Sequence, residues 1–82
     1  MMRRINTPSE LGRVFQDKRK KKKLTQESVA ESIGMRQASI SDFERKSTTS
    51  QIDTLFKIAA ALDLEIYIDN KPTELQGEGD AW

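Results

Sequence analysis

Two short apolar stripes at helical spacing lie on either side of Gly34, and this arrangement constrains the fold more than any other feature of the sequence. Val29 and Ile33 are four residues apart, and Ile40 and Phe43 are three apart, so each pair lies on one face of a helix. Glycine readily adopts the left-handed conformation in which a helix ends. The sequence therefore predicts two short helices joined by a tight turn at Gly34.

A longer helix is predicted before this pair. Residues 7–10, Thr-Pro-Ser-Glu, provide a capping Thr, a Pro at the first helical position and a Glu at the third. The apolar stripe that follows consists of Leu11, Val14 and Phe15. The basic run 18–23 completes this helix, and its charge suits a helix C-terminus. Thr25 then caps the first of the two short helices.

A fourth helix is predicted after a polar turn at residues 47–50. Ser50 and Asp53 have the spacing of a capping box. An apolar stripe follows at the i, i+3, i+4 and i+7 positions, Leu55, Ile58, Ala59 and Leu62. Four helices therefore suffice to explain the chain up to this point.

The periodicity changes from 3.6 to 2 after the fourth helix. In residues 64–69, apolar side chains alternate with polar or amphipathic ones, which is typical of a strand. A lone strand leaves its backbone donors and acceptors unpaired. We therefore expect antiparallel pairing with a second copy across a two-fold axis, which would bury Leu64, Ile66 and Ile68 of each chain. The alternative is an extended segment that packs on the helices of its own chain.

Residues 70–82 contain one Pro, two Gly and three acidic residues without any periodicity. Such a composition is typical of a disordered acidic tail. The tail ends in Trp82, whose large apolar surface can anchor in a partner's pocket. The alternatives are a chance aromatic residue and docking back on its own domain.

The composition restricts the class of protein. The chain has 82 residues, enough for one small domain, and contains neither Cys nor His. This excludes a disulfide framework and a thiolate metal site, and it removes the usual general base. No apolar run approaches the roughly 18–20 residues that span a bilayer, and the first residues do not resemble a signal peptide. We expect a cytoplasmic binding protein rather than an enzyme, without cofactor, metal or membrane contact.

The charge is unevenly distributed along the chain. Residues 1–46 contain 12 Lys and Arg against 6 Asp and Glu, whereas residues 47–82 contain 2 against 7. This asymmetry suggests that the first half faces a polyanion. The alternative is a solvated lysine-rich surface.

The second short helix begins near Arg36 or Gln37 and turns polar side chains away from Ile40 and Phe43; Arg45 shares this outer face. In the major groove of DNA, Gln can pair with adenine and Arg with guanine, Ala can contact the thymine methyl group, and Ser can donate or accept. The candidates for base reading are Arg36, Gln37, Ala38 and Ser41. The alternative is an ordinary helical hairpin whose polar face meets only water.

Residues 9–69 resemble the lambda-repressor-like, Cro/C1-type helix-turn-helix domains. The resemblance rests on three motifs: L-T-Q-E-x-x-A at 24–30, G-M-R-Q-A-S-I-S-D-F-E at 34–44, and T-L-x-x-I-A-x-A-L at 54–62. It implies that Gln26 contacts a DNA phosphate and that Gln37 reads a base. It also implies an ion pair between Arg19 on the first helix and Glu44 at the end of the recognition helix.

A closer resemblance is to the HipB-type antitoxins of toxin–antitoxin modules. It rests on residues 33–44, the single strand after the last helix and the short tail that ends in Trp82. It implies a homodimer that binds palindromic operator DNA, represses its own operon, and binds and restrains a HipA-like Ser/Thr kinase toxin. Such a protein would be cytoplasmic, and nucleoid-associated when it is bound to DNA.

The same resemblance assigns individual residues. Base contacts fall on Arg36, Gln37, Ala38 and Ser41. Phosphate contacts fall on Gln26, Ser39, Lys46 and Ser47. Residues 64–69 become the dimerisation strand, and Trp82 becomes a contact for the toxin or for a protease. A stand-alone phage-type or housekeeping repressor without a toxin would share every DNA-binding residue and is the alternative.

We therefore expect a mainly α chain. Its lambda-repressor-like DNA-binding domain, residues 1–69, should have four to five helices plus one C-terminal strand that pairs across a homodimer. Residues 70–82 should form a disordered acidic tail.

Overall fold

Four α-helices account for the regular secondary structure of residues 3–46 and 48–71, which are the residues that the computed structural model describes. The helices are α1 (Pro8–Lys21), α2 (Gln26–Ser32), α3 (Gln37–Arg45) and α4 (Ile52–Ala61). The predicted mainly α fold is confirmed, as is the pair of short helices around Gly34. None of the described helices is long and apolar enough to cross a membrane.

Threonine side chains cap the first two helices, as predicted. The Thr7 hydroxyl accepts a hydrogen bond from the backbone N–H of Glu10 at 3.1 Å. At the start of α2, Thr25 and Ser28 form a reciprocal capping box. The Ser28 backbone N–H donates to Thr25 Oγ1 at 3.0 Å, and the Thr25 backbone N–H donates to Ser28 Oγ at 3.1 Å. These bonds satisfy backbone donors that lack a partner within the helix.

The capping box predicted for Ser50 and Asp53 is wrong. Helix α4 begins at Ile52, and its N-cap is Gln51, which makes no side-chain capping hydrogen bond. Ser50 therefore lies one residue before the cap, where its hydroxyl does not serve the first turn.

Three of the four helices end in the same type of turn. A residue with positive φ follows each of α1, α2 and α4, and the next backbone N–H donates to a carbonyl five residues earlier. The residues with positive φ are Lys23 (59°), Gly34 (69°) and Asp63 (61°). Only the turn at Gly34 was predicted. Helix α1 ends at Lys21, so the basic run extends past the helix instead of completing it.

The core lies between all four helices. Its buried side chains are Phe15, Val29, Ala30, Ile40, Phe43, Ile58, Ala59 and Leu62. The ring centroids of Phe15 and Phe43 are 5.2 Å apart, and the two ring planes are tilted by 58°. This is a favourable geometry for an aromatic pair. The predicted stripes of the four helices therefore meet in one core, with Leu11 and Leu55 at its edge.

Residues 64–71, which follow α4, have no regular secondary structure. The strand predicted over residues 64–69 is therefore not observed in the isolated chain. A strand is defined by hydrogen bonds to a neighbouring strand, and the described part of the chain provides none. Leu64 packs against the core, whereas Ile66 and Ile68 are exposed.

An apolar groove of about 580 Å³ runs between this segment and α1. Ile5, Leu11 and Val14 line one side of the groove, and Leu64 and Ile66 line the other. In the same segment the Tyr67 hydroxyl donates a hydrogen bond to the Glu65 carboxylate, which raises the pKa of Tyr67 above its usual value. Most of the predicted acidic tail, including Trp82, lies outside the described residues.

Candidate nucleic-acid interface

Helices α2 and α3 form the predicted helix-turn-helix. The turn between them runs through Gly34, and the Met35 N–H donates to the Ala30 carbonyl at 2.9 Å. Helix α3 buries Ile40, Phe43 and Glu44 on one side. Its other side is exposed, so it presents a continuous surface to a partner.

The four predicted base-reading residues lie between the N-cap and the middle of α3. Arg36 is the N-cap and Gln37 is the first residue of the helix, and both are exposed. Ala38 is exposed and Ser41, one turn further on, is half-buried. Arg36 makes no ion pair with any described residue. The structure therefore brings these four residues together on the first half of one helix.

The predicted phosphate-contacting residues are more dispersed. Gln26 begins α2, Ser39 lies in the first turn of α3, and Lys46 is the C-cap of α3. Gln26 and Ser39 are half-buried and Lys46 is exposed. Ser47 lies outside the described residues.

A buried ion pair joins α1 to the end of α3. Arg19 Nε donates to Glu44 Oε2 at 2.6 Å, and its Nη2 donates to Oε1 at 3.2 Å. Arg19 Nη1 also donates to the Leu24 carbonyl at 2.8 Å, just before α2 begins. The ion pair implied by the family resemblance is therefore confirmed. Because its charges are paired and hydrogen-bonded, the cost of burying them is offset, and the relative orientation of the helices is fixed.

Two glutamines connect this ion pair to the exposed face of α3. Gln26 Nε2 donates to Glu44 Oε1 at 2.9 Å, and Gln37 Nε2 donates to Gln26 Oε1 at 2.9 Å. A carboxylate only accepts hydrogen bonds, so Gln26 must turn its amide nitrogen toward Glu44 and its oxygen toward Gln37. Gln37 therefore has a defined orientation, and no other described residue bonds to its carbonyl oxygen or to its second side-chain N–H. That acceptor and donor match N6–H and N7 of adenine in the major groove.

Residues that sequence reasoning missed also take part. Gln16 Nε2 on α1 donates to Glu44 Oε1 at 3.3 Å, so this oxygen receives bonds from Arg19, Gln16 and Gln26. Gln16 precedes Glu44 by 28 residues, and no local sequence signal connects them. Asp42, which was not among the predicted site residues, is exposed on the same helix one turn after Ala38, and the i, i+4 spacing of the two residues indicates this shared face.

The surroundings of the site are basic. Lys20, Lys21, Lys22 and Lys23 are exposed where α1 ends and the chain turns into α2. Arg3, Lys18, Lys20 and Lys21 line a groove of about 410 Å³ beside Asp17. Among the residues that the structure describes, no group of three or more acidic, His or Cys side chains is placed to hold a metal ion.

Several known proteins are similar to this chain in sequence or in structure. Residues 15–68 match the family model described as helix-turn-helix. Antitoxin HipB of Escherichia coli K12 is 33% identical over 63 residues, which cover 77% of this chain and 72% of HipB. The ImmF control region 10 kDa protein of Bacillus phage phi105 is 36% identical over 66 residues, or 80% of this chain and 72% of that protein. Among solved structures, a chain of the HipA-HipB-O2-O3 complex superimposes with a TM-score of 0.83 at 30% identity, covering 87% of this chain and 100% of that one.

Proposed function

Because this chain belongs to the helix-turn-helix family of HipB-type proteins, we propose that it is a sequence-specific, dimeric DNA-binding antitoxin. In this proposal it represses its own toxin–antitoxin operon, and it binds and neutralises a HipA-like Ser/Thr kinase toxin. It acts by binding and catalyses no reaction. The domain of residues 1–69 binds DNA and dimerises, and residues 70–82 are the tail.

The observation that carries the DNA-binding part is the chain of hydrogen bonds from Glu44 through Gln26 to Gln37. A side chain that contacts only water does not require a fixed orientation, whereas a side chain that reads a base requires one. The base contacts in the proposal are Arg36, Gln37, Ala38 and Ser41. The phosphate contacts are Gln26, Ser39, Lys46 and Ser47, with the lysines at the end of α1 adding to the positive field.

Dimerisation through residues 64–69 supplies the second half of the interface. Ile66 and Ile68 are exposed in the isolated chain, although they alternate with polar residues as the side chains of a half-buried strand do. Antiparallel pairing with a second copy would cover both side chains and satisfy the backbone. The two α3 helices would then lie about 34–36 Å apart, one helical turn of B-DNA, and would read a palindromic operator.

The toxin-binding part rests on the similarity to HipB, which has been solved in a complex with HipA. In the proposal this small dimer holds the kinase in an unproductive conformation from outside its active site. Trp82 in the acidic tail contacts the toxin or is recognised by a protease. The operator-bound dimer with the toxin attached blocks transcription.

A stand-alone repressor is the second candidate function, and the similarity to the phage phi105 protein favours it. It would use the same DNA-binding residues but no toxin. Co-expression of this chain with the product of the adjacent gene separates the two. Stable co-purification of a kinase-like protein supports the antitoxin, whereas a chain that purifies alone and still binds its own promoter supports the repressor.

The DNA-binding proposal is tested by a gel shift on the promoter of the chain's own operon. We expect Gln37→Ala to lose about 1–3 kcal/mol of discrimination for the operator, about 5- to 150-fold, because it removes one bidentate base contact. The variant should stay folded, since Gln37 is exposed.

The matched control is Gln76→Ala, the same change in the tail, which should bind like the wild type. An operator preference unchanged in Gln37→Ala would contradict the role of Gln37. Failure of the wild-type protein to bind any duplex in dilute buffer would contradict DNA binding itself.

A further inference from the structure

The middle of the exposed side of α3 carries an acidic residue as well as the polar side chains already described. Ala38, Asp42 and Arg45 follow one another at i, i+4 and i+7, so they lie along one line on the helix surface. The side chains of Asp42 and Arg45 are 60% and 61% exposed. Asp42 and Arg45 therefore extend the exposed face that begins with Arg36, Gln37 and Ala38 toward the C-terminal end of α3.

Asp42 and Arg45 are already joined before any ligand binds. Arg45 Nη2 donates to Asp42 Oδ1 at 2.6 Å. Within residues 3–46 and 48–71, no other donor reaches Asp42, so Oδ2 is available as an acceptor. Arg45 has five N–H groups, and those that do not face Asp42 remain available as donors. The pair therefore presents one acceptor next to several donors.

A carboxylate on a DNA-facing surface is unfavourable for binding to most sequences. It is repelled by the phosphates and by every acceptor on the floor of the major groove, namely N7 and O6 of guanine, N7 of adenine and O4 of thymine. The N4 amino group of cytosine is a donor, and its own base offers no acceptor beside it in the groove. The guanine across the base pair offers O6 and N7, which suit an arginine.

We propose that Asp42 and Arg45 act as one unit that reads a cytosine–guanine base pair in each half of the operator. Asp42 accepts from cytosine N4, and Arg45 donates to the guanine of the same pair. This inference rests on the proposed binding of duplex DNA through α3, and it adds a specificity determinant that works by rejecting other bases as well as by attracting one.

The rejecting role has a distinctive signature. Removal of a residue that only attracts a base lowers affinity for the preferred duplex. Removal of Asp42 should in addition raise affinity for duplexes that carry another base pair at that position, because a repulsive charge is lost.

The test is selection of bound duplexes from a randomised pool by the full-length protein, followed by competition gel shifts with single base-pair variants of the best duplex. For the wild type we expect one position in each half-site to prefer the cytosine–guanine pair by about 5- to 150-fold. Asp42→Ala should abolish that preference, leave the preferences set by Gln37 intact and bind the variant duplexes more tightly. Asp42→Asn should move the preference toward adenine, since Asn pairs with N6 and N7 of adenine.

Asp53→Asn is the matched control, because it removes the same charge from an exposed aspartate on α4. Asp53 also has a basic neighbour on its own helix, since its Oδ2 lies 3.8 Å from Lys57 Nζ. It should leave the base preferences unchanged, and circular dichroism should show equal helix content in all variants. If the wild type binds duplexes and the Asp42 variants select the same bases, the inference is wrong while the proposed function stands. If the wild type binds no duplex, both are wrong.

Discussion

At the scale of single residues, Glu44 connects helices α1, α2 and α3 through its side-chain carboxylate. Its carboxylate accepts hydrogen bonds from Arg19 and Gln16 on α1 and from Gln26 on α2. Arg19 and Glu44 are both buried, so neither charge can be compensated by water. Loss of one partner therefore leaves the other as an uncompensated charge in the core.

We expect Glu44→Ala to lower the free energy of unfolding by about 3–5 kcal/mol, the typical cost of removing one partner of a buried ion pair. Since small domains have roughly 5–15 kcal/mol in total, this variant should be close to unfolding at 25 °C. Urea denaturation followed by circular dichroism measures the change.

Asp17→Ala is the control, because it breaks an exposed ion pair. In that pair Asp17 Oδ2 lies 3.3 Å from Arg3 Nη1. It should cost less than about 1 kcal/mol. Equal losses in Glu44→Ala and Asp17→Ala would contradict the structural role of the buried pair.

The turns that end the helices depend on single residues with positive φ. Apart from Gly34 and its two chain neighbours, no residue has an atom within 4 Å of where a Cβ on Gly34 would lie, yet its φ of 69° disfavours any side chain. Gly34→Ala should therefore lower the free energy of unfolding by about 1–2 kcal/mol. Lys23→Gly should raise it by up to about 1 kcal/mol, because Lys23 has a φ of 59°.

Thermal unfolding checks both changes, since about 1 kcal/mol corresponds to roughly 4–8 °C in a domain of this size. If both substitutions moved the melting temperature in the same direction, the positive φ angles of Gly34 and Lys23 would be contradicted.

At the scale of helices, the contact between α1 and α3 depends on the absence of a side chain at Gly12. A Cβ at this position would lie 2.5 Å from the Glu44 carbonyl oxygen and 2.7 Å from that of Phe43. Both are backbone atoms, so the helices would have to move apart. This approach also brings Arg19 and Gln16 within reach of Glu44.

Gly12→Ala should therefore destabilise the domain by about 1–3 kcal/mol through overpacking, although Ala is the better helix former by about 1 kcal/mol. Arg13→Ala changes the adjacent exposed residue of the same helix and should be nearly neutral. Chemical denaturation of the two variants side by side makes the comparison. A Gly12→Ala protein more stable than the wild type would show that α1 does not approach α3 so closely.

At the scale of the whole molecule, the predicted dimer is open to a direct test. Ile68 is 96% exposed in the isolated chain, so Ile68→Asp should not affect folding of the protomer. If residues 64–69 pair between two copies, the new carboxylate becomes buried at their interface. The dimer dissociation constant should then rise at least about 100-fold, because an unpaired buried charge costs several kcal/mol.

Tyr67→Asp introduces the same charge on the opposite face of the predicted strand and should retain the dimer. Sedimentation velocity over a range of protein concentrations distinguishes the variants. A wild-type chain that stays monomeric throughout, or two variants that dimerise equally well, would contradict pairing through this segment.

Much of the fold was predictable because its signals are local. Thr7 and Thr25 cap their helices within three residues, and Gly34 lies at the turn that its conformational freedom suggested. The inward positions of Ile40 and Phe43 followed from helical periodicity alone. The capping prediction failed at Ser50, which lies one residue before Gln51, the N-cap of α4.

The site was less predictable because its geometry depends on how the helices pack. The Arg19–Glu44 pair was implied by the family resemblance, but no spacing in the sequence reveals that Gln16 and Gln26 share the same carboxylate oxygen. Gly12 gave no sign of its contact with α3 beyond being a glycine inside a helix. The strand predicted over residues 64–69 needs a second backbone, which residues 3–46 and 48–71 do not supply.

The side chains that orient Gln37 lie behind α3, whereas Ala38 and Asp42 lie in front of it and contribute nothing to the core. In the proposed complex, substitutions at these front positions would alter which duplex is chosen without repacking the domain. The proposed choice of target is therefore separable from the packing that holds the four helices together. The same separation makes this small domain a practical scaffold for retargeting.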